Sequence, residues 1–182
     1  GLVGSEMCIR DRVRTTIQES QLGTGDAVKS VFNSYNLSDS DGIIIIFGDT
    51  PLLKLETINN LIKSISRNDL TITCFESENP QGYGRIILKN DKLHSIVEDA
   101  ETTKNNKDIK LCNGGLMALK NNGLEKYLDL LNNNNNKKEY SLTDLVKIIN
   151  DRKGTCDYIK CEELELFGVD SKLINRFNRD IV

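Results

Sequence analysis

Two carboxylates stand in the same local setting. Asp49 follows the run Ile43-Ile44-Ile45-Ile46-Phe47-Gly48, and Asp170 follows Leu164-Glu165-Leu166-Phe167-Gly168-Val169. Each time a strand-like segment ends near a glycine and an acid comes at its exit. Open α/β sheets bind ligands beyond the carboxyl ends of their strands, so both positions suit ligand contact. A plain turn aspartate explains Asp49 equally well. Asn113 sits at the edge of another apolar run, where its amide can pair with a ligand hydroxyl or cap a turn. Gln18-Glu19-Ser20-Gln21-Leu22-Gly23-Thr24-Gly25 opens directly into a helical pattern. Glycines at a helix entrance let an anion approach free amides, although an ordinary turn is the commoner use of such glycines. The single histidine, His94, excludes a catalytic triad or a poly-histidine metal centre. Five cysteines without a C-x-x-C pair argue against a disulfide framework or a zinc site, and for reduced thiols in a cytoplasm.

The elements that would hold these residues follow from periodicity. Ile43 to Phe47 has no polar face, which predicts a strand buried on both sides in a parallel sheet. Leu55, Ile58, Leu61, Ile62 and Ile65 form a helical stripe. Leu70 to Phe75 predicts a second central strand, giving a βαβ unit with a right-handed crossover. Val13 to Glu19 suggests a short strand, and Ala27, Val28, Val31, Phe32 and Tyr35 a helix face. Asn90-Asp91 between two strand-like arms predicts a hairpin. Gly82-Tyr83-Gly84 suits either backbone packed on a flat base or sugar, or the approach to that hairpin. The asparagines from Asn132 read as a low-complexity loop without function. Ser141 with Asp144 predicts a capping box, Tyr158 to Cys161 an edge strand, and Leu164 to Phe167 a further strand.

Composition bounds the rest. The chain has 182 residues, 38% hydrophobic and 28% charged, with a net charge of -3. That describes one soluble domain with no basic footprint for nucleic acid and no run of membrane-spanning length. Residues 1–12 have neither helical nor strand period and read as a non-native, adapter-derived segment, leaving 13–182 as a partial domain.

The motifs in order, Q-x-x-Q-L-G-T-G at Gln18–Gly25, F-G-D-T-P-L at Phe47–Leu52, N-P-x-G-Y-G-R-I at Asn79–Ile86, I-V-E at Ile96–Glu98, N-x-G at Asn113–Gly115, E-Y-x-L-T-D at Glu139–Asp144 and G-V-D at Gly168–Asp170, are collinear. Together they resemble the uridylyltransferase domain of the bacterial bifunctional N-acetylglucosamine-1-phosphate uridylyltransferase/glucosamine-1-phosphate acetyltransferases. The resemblance implies a nucleotide-diphospho-sugar transferase α/β fold, Rossmann-like, with a mixed, mainly parallel sheet and flanking helices. It implies that UTP and N-acetylglucosamine 1-phosphate give UDP-N-acetylglucosamine and pyrophosphate, for peptidoglycan and lipopolysaccharide precursors. It implies Mg²⁺ held by Asp49 and Asp170, nucleotide contacts from Gln18, Gly23, Thr24, Phe47 and Gly48, and sugar contacts from Gly84, Glu98 and Asn113 with Thr143 beside them. It also implies a homo-trimeric full-length parent.

The chain departs from the family pattern in several places. Phe47 replaces a tyrosine, Asp170 an asparagine, and Gly114 a threonine, which would remove a hydroxyl near the sugar pocket. The family's glycine-rich L-A-A-G-x-G-T-R-M phosphate loop and its C-terminal β-helix domain are not in the sequence. An N-terminally truncated piece, inactive by itself, is therefore expected. Two alternatives stay open: a sister nucleotidyltransferase for another sugar phosphate or nucleotide, and a non-catalytic sugar-nucleotide-binding module.

Overall fold

The structure, a computed structural model, describes residues 13–168. Asp170 and residues 1–12 lie outside the described residues. In chain order the elements are α1 (Thr24–Ser34), β1 (Gly42–Ile45), α2 (Leu55–Ser64), β2 (Leu70–Glu76), β3 (Arg85–Lys89), β4 (Lys92–Val97), a 3₁₀ turn (Asp99–Glu101), β5 (Leu111–Lys120), α3 (Leu124–Leu128), α4 (Asp144–Asp151), β6 (Cys156–Lys160) and a 3₁₀ turn (Glu163–Leu166).

One mixed sheet carries all six strands, in the order β4-β3-β5-β2-β6 with β1 also on β5. The expected mixed α/β fold is present, but the balance differs from the expectation of a mainly parallel sheet. Among the described residues only β2 and β6 pair in parallel; the other four pairings are antiparallel. β1 and β2 still point the same way, as a βαβ unit requires, but β5 runs antiparallel between them. Periodicity reports that a strand is apolar and cannot report which strand lies beside it.

β5 is the spine of the sheet. β2 covers one of its edges from Leu111 to Leu119. On the other edge β1 pairs with Met117–Lys120 and β3 meets Cys112. β1 and β3 therefore lie end to end along β5, with a gap opposite residues 113–116.

Two apolar layers sandwich the sheet. Leu70, Ile72, Cys74, Met117, Leu119, Leu145, Val146 and Ile149 pack one face under α4. Leu61, Phe75, Cys112, Leu116, Ala118 and Leu166 pack the other under α2. The β3–β4 hairpin turns at Asn90 and Asp91 with φ of 52° and 58°, the left-handed pair that a tight hairpin needs.

Several local expectations change. β1 is only half-buried, not covered on both sides, because β5 is its sole strand partner among the described residues. In α2 only Thr57 and Leu61 are buried, and Leu55 and Ile62 face outward at 71% and 52% exposure. Residues 13–19 form no strand. Glu163–Leu166 is a 3₁₀ turn and no strand. α4 has no side-chain cap bond; the Ser141 hydroxyl instead lies 2.8 Å from the Thr143 hydroxyl. The edge strand near Tyr158 is found as β6.

Candidate functional site

The gap between β1 and β3 holds a cleft of about 240 Å³. Thr24, Phe47, Glu98, Asn113 and Thr143 all line it. They come from five separated segments, so the sequence motifs converge in space. Phe47 follows β1, Glu98 follows β4, Asn113 lies within β5, Thr143 precedes α4 and Thr24 begins α1.

Hydrogen bonds fix the polar side chains. The Thr143 hydroxyl donates to Oε1 of Glu98 at 2.7 Å, which leaves Oε2 to accept from a ligand. The Asn113 backbone N–H donates to the Gly84 carbonyl at 2.8 Å, and its side-chain oxygen accepts from the Gly115 N–H at 3.2 Å. A Cβ on Gly84 would sit 3.5 Å from the Asn113 Cβ and 3.8 Å from Oε2 of Glu98. Gly84 thus backs this pair closely.

Asp144 also lines the cleft, and its carboxyl is held above the usual aspartate value by burial, then by Glu101 and Glu98. The wall is therefore rich in acceptors. That suits sugar hydroxyls and amides, which bring donors.

The glycine loop before α1 serves a use other than open anion contact. The Gly25 N–H donates to the Tyr140 carbonyl at 2.8 Å, and the Tyr140 N–H to the Leu22 carbonyl at 2.7 Å. A Cβ on Gly23 would fall 2.7 Å from that Tyr140 carbonyl oxygen. These glycines let the Glu139–Tyr140 backbone approach. Thr24 accepts from the Leu142 N–H at 3.0 Å, and Gln18 donates to the Gly23 carbonyl and to Asp26 at 3.1 and 2.7 Å. Gln18 and Gly23 brace the loop and are not among the cleft-lining residues.

Asp49 is exposed, outside the cleft lining, and beside Gly168: a Cβ there would lie 3.0 Å from Oδ2 of Asp49. Gly48 has open space around its Cα. Among the described residues no group of three or more His, Cys, Asp or Glu gathers.

Gly114 corrects an expectation. A Cβ there would point away from the cleft, meeting Leu166 Cδ1 at 2.4 Å and Thr73 Oγ1 at 2.7 Å. A threonine hydroxyl at this position would face the core, so its loss takes nothing from the cleft.

The asparagine loop corrects another. Asn135, Asn136 and Lys137 line the cleft, and Asn135 is tied by two bonds to Glu139, at 2.6 and 3.1 Å. Residue repetition hid this; only packing reveals it. Arg85 was also missed. It is 2% exposed, donates to Asp99 at 2.8 Å and to the Tyr83 carbonyl, and its Nε has no partner. A charged residue inside an apolar hairpin arm was the available signal. The pair clamps the turn directly after Glu98.

No family model matches the chain. Curated relatives do. A protein of Fervidobacterium nodosum named bifunctional protein GlmU is 40% identical over 163 residues, covering 88% of this chain and 35% of the relative. The chain is a GlmU relative over the stretch that aligns. A GlmU of Ruegeria sp. is 35% identical over 164 residues, 90% of this chain and 36% of its own. One from the Wolbachia of Brugia malayi is 35% identical over 166 residues, 91% and 40% respectively. The chain thus spans roughly a third of the length of the GlmU proteins it matches. No helix among the described residues is long and apolar enough to cross a membrane.

Proposed function

We propose that the chain is the sugar-nucleotide-forming part of a GlmU-type enzyme, joining UTP and N-acetylglucosamine 1-phosphate to give UDP-N-acetylglucosamine and pyrophosphate. The observation that carries this is the convergence of Glu98, Asn113, Thr143, Thr24 and Phe47 on one cleft at the sheet gap. The kinship with the GlmU proteins, 40% identical in one case, supports the same reading.

The chemistry fits the residue inventory. The nucleophile is a phosphate oxygen, ionised at neutral pH, so no general base is required. A chain with one histidine suffices. What the protein must do is orient two polyanions and stabilise the leaving pyrophosphate. Glu98, locked by Thr143, accepts from a sugar hydroxyl, and the Asn113 amide donates to the sugar. The Phe47 ring, seated on Gly115, offers an apolar wall.

Asp49 and Asp170 would hold Mg²⁺. Asp49 is an exposed hard-oxygen donor at a strand exit, and Gly168, two residues before Asp170, already touches it. Magnesium commonly takes one or two protein carboxylates and completes its shell with phosphate oxygens, so a larger acidic cluster is not needed. Bound there, the ion supplies charge neutralisation for the phosphates.

The test is calorimetric titration of the chain with UDP-N-acetylglucosamine, with and without Mg²⁺, against CDP-, GDP- and dTDP-sugars. A hybrid joining the chain to the remaining segments of the Fervidobacterium nodosum relative is assayed for pyrophosphate release with four nucleotides and several sugar 1-phosphates. Preference for UTP and N-acetylglucosamine 1-phosphate is expected. Equal use of another pair, or binding without turnover, overturns the assignment.

A further inference from the structure

β5 carries a bulge where β2 does not. From Ile72 to Cys74 β2 advances two residues, while the paired positions on β5, Met117 and Asn113, are four apart. Two added residues leave the alternation intact. Asn113, Gly115 and Met117 stay on the cleft face, while Cys112 and Leu116 stay in the layer under α2.

A bulge inside a sheet strands backbone groups that must find partners. Thr73, fully buried on β2, supplies one. Its hydroxyl accepts from the Leu116 N–H at 3.3 Å and lies 3.4 Å from the Leu116 carbonyl oxygen, to which it donates. The Thr73 hydroxyl oxygen would also be 2.7 Å from a Cβ on Gly114, so a side chain there would have to displace it. Gly115 then takes φ of 85°, and its N–H reaches Oδ1 of Asn113. One hydroxyl on the back of the sheet is linked through three residues to the amide on the front.

We infer that Thr73, which lines no part of the cleft, is a positioning residue: its hydroxyl plugs the β5 bulge and so sets the aim of the Asn113 amide at the sugar. The ligand half of this rests on the proposed function; the bulge half does not. Thr73 acts through Asn113, so its removal affects ligands that carry the sugar and spares those that do not.

Thr73→Val keeps the shape and removes the hydroxyl; Thr73→Ser keeps the hydroxyl. Amide hydrogen exchange by NMR reports the bulge, and calorimetry compares UDP-N-acetylglucosamine with UTP. In Thr73→Val, exchange at Leu116 accelerates roughly tenfold or more relative to Ile72, because its N–H loses its acceptor. The affinity for UDP-N-acetylglucosamine falls about tenfold while that for UTP changes less than about twofold. Thr73→Ser restores both. Unchanged Leu116 exchange in Thr73→Val, equal losses for both ligands, or a serine variant that behaves like valine overturns the inference. If the valine variant does not fold, the serine variant decides: wild-type exchange at Leu116 supports the plug and fast exchange defeats it. If the unmodified chain binds no UDP-N-acetylglucosamine, the proposed function fails, and Leu116 exchange still decides what Thr73 does to the bulge.

Discussion

The α-carbon of Gly168 abuts the carboxylate of Asp49, so closely that a methyl group there would lie 3.0 Å from Oδ2. The two are 119 positions apart in the sequence. Gly168 is thereby held at the exit of β1, two positions before Asp170 in the sequence. Asp49→Ala is expected to abolish the Mg²⁺-dependent gain in UDP-N-acetylglucosamine affinity and the turnover of the hybrid. Because Asp49 is exposed, stability should change by less than about 0.5 kcal/mol. Calorimetry and urea unfolding read the two effects separately; retained metal dependence would remove Asp49 from the assignment.

Phe47 rests on bare backbone. A Cβ on Gly115 would sit 2.5 Å from Phe47 Cε2, and Gly115 has φ of 85°. Gly115→Ala combines left-handed strain with a clash and should cost about 1–2 kcal/mol from the backbone alone. It should also displace the ring and weaken nucleotide binding. Urea denaturation and the Phe47 ring resonances measure both.

Asp144 makes stability depend on pH in a defined direction. Its carboxyl is held above the usual value by burial first, then by Glu101 and Glu98. The folded state therefore keeps this proton at pH values where the unfolded chain has released it. Stability contributed by the protonated form is lost as pH rises from the unfolded value through the raised folded one. Asp144→Asn should melt higher than the parent at neutral pH, and the gap should close at pH 3. A gap that widens on acidification would contradict the sign.

The four thiols among the described residues should be inert in the folded chain. Burial pushes Cys74 and Cys156 up to about 12, and raises Cys112 and Cys161 as well. Since the thiolate is the reactive form, a disulfide reagent at neutral pH should label these four only after denaturant is added. Rapid native labelling at any of them would show that its strand opens locally.

β1 leaves a liability. Beside it lies a hollow of about 1060 Å³ bounded by Phe32, Ile44, Ile62 and Ile65, and Ile46 just beyond the strand is 45% exposed. Among the described residues β1 has one unpaired edge, and a β-branched strand edge without a partner promotes association between copies. Ile46→Lys should slow aggregation at high concentration in light scattering, with a melting midpoint close to the parent's. Unchanged aggregation would locate the sticky surface elsewhere.

The sequence by itself determined the local units and most of the candidate chemistry. Asn90-Asp91 specified the hairpin because two left-handed residues fit few other turns. The apolar runs specified β1, β2 and β5, and the collinear motifs named Glu98, Asn113 and Thr143, which meet in one cleft. Tertiary structure decided the rest. Antiparallel insertion of β5 between β1 and β2 is a choice of partner, set by long-range packing that no local period encodes. The same pairing opened the gap that became the cleft, turned Gly114 toward Leu166, spent the Gly23–Gly25 loop on Tyr140, and brought the asparagine loop to the cleft rim. Side-chain type is written in the chain, but the direction a side chain faces, and what already occupies the space there, exist only once the strands have paired.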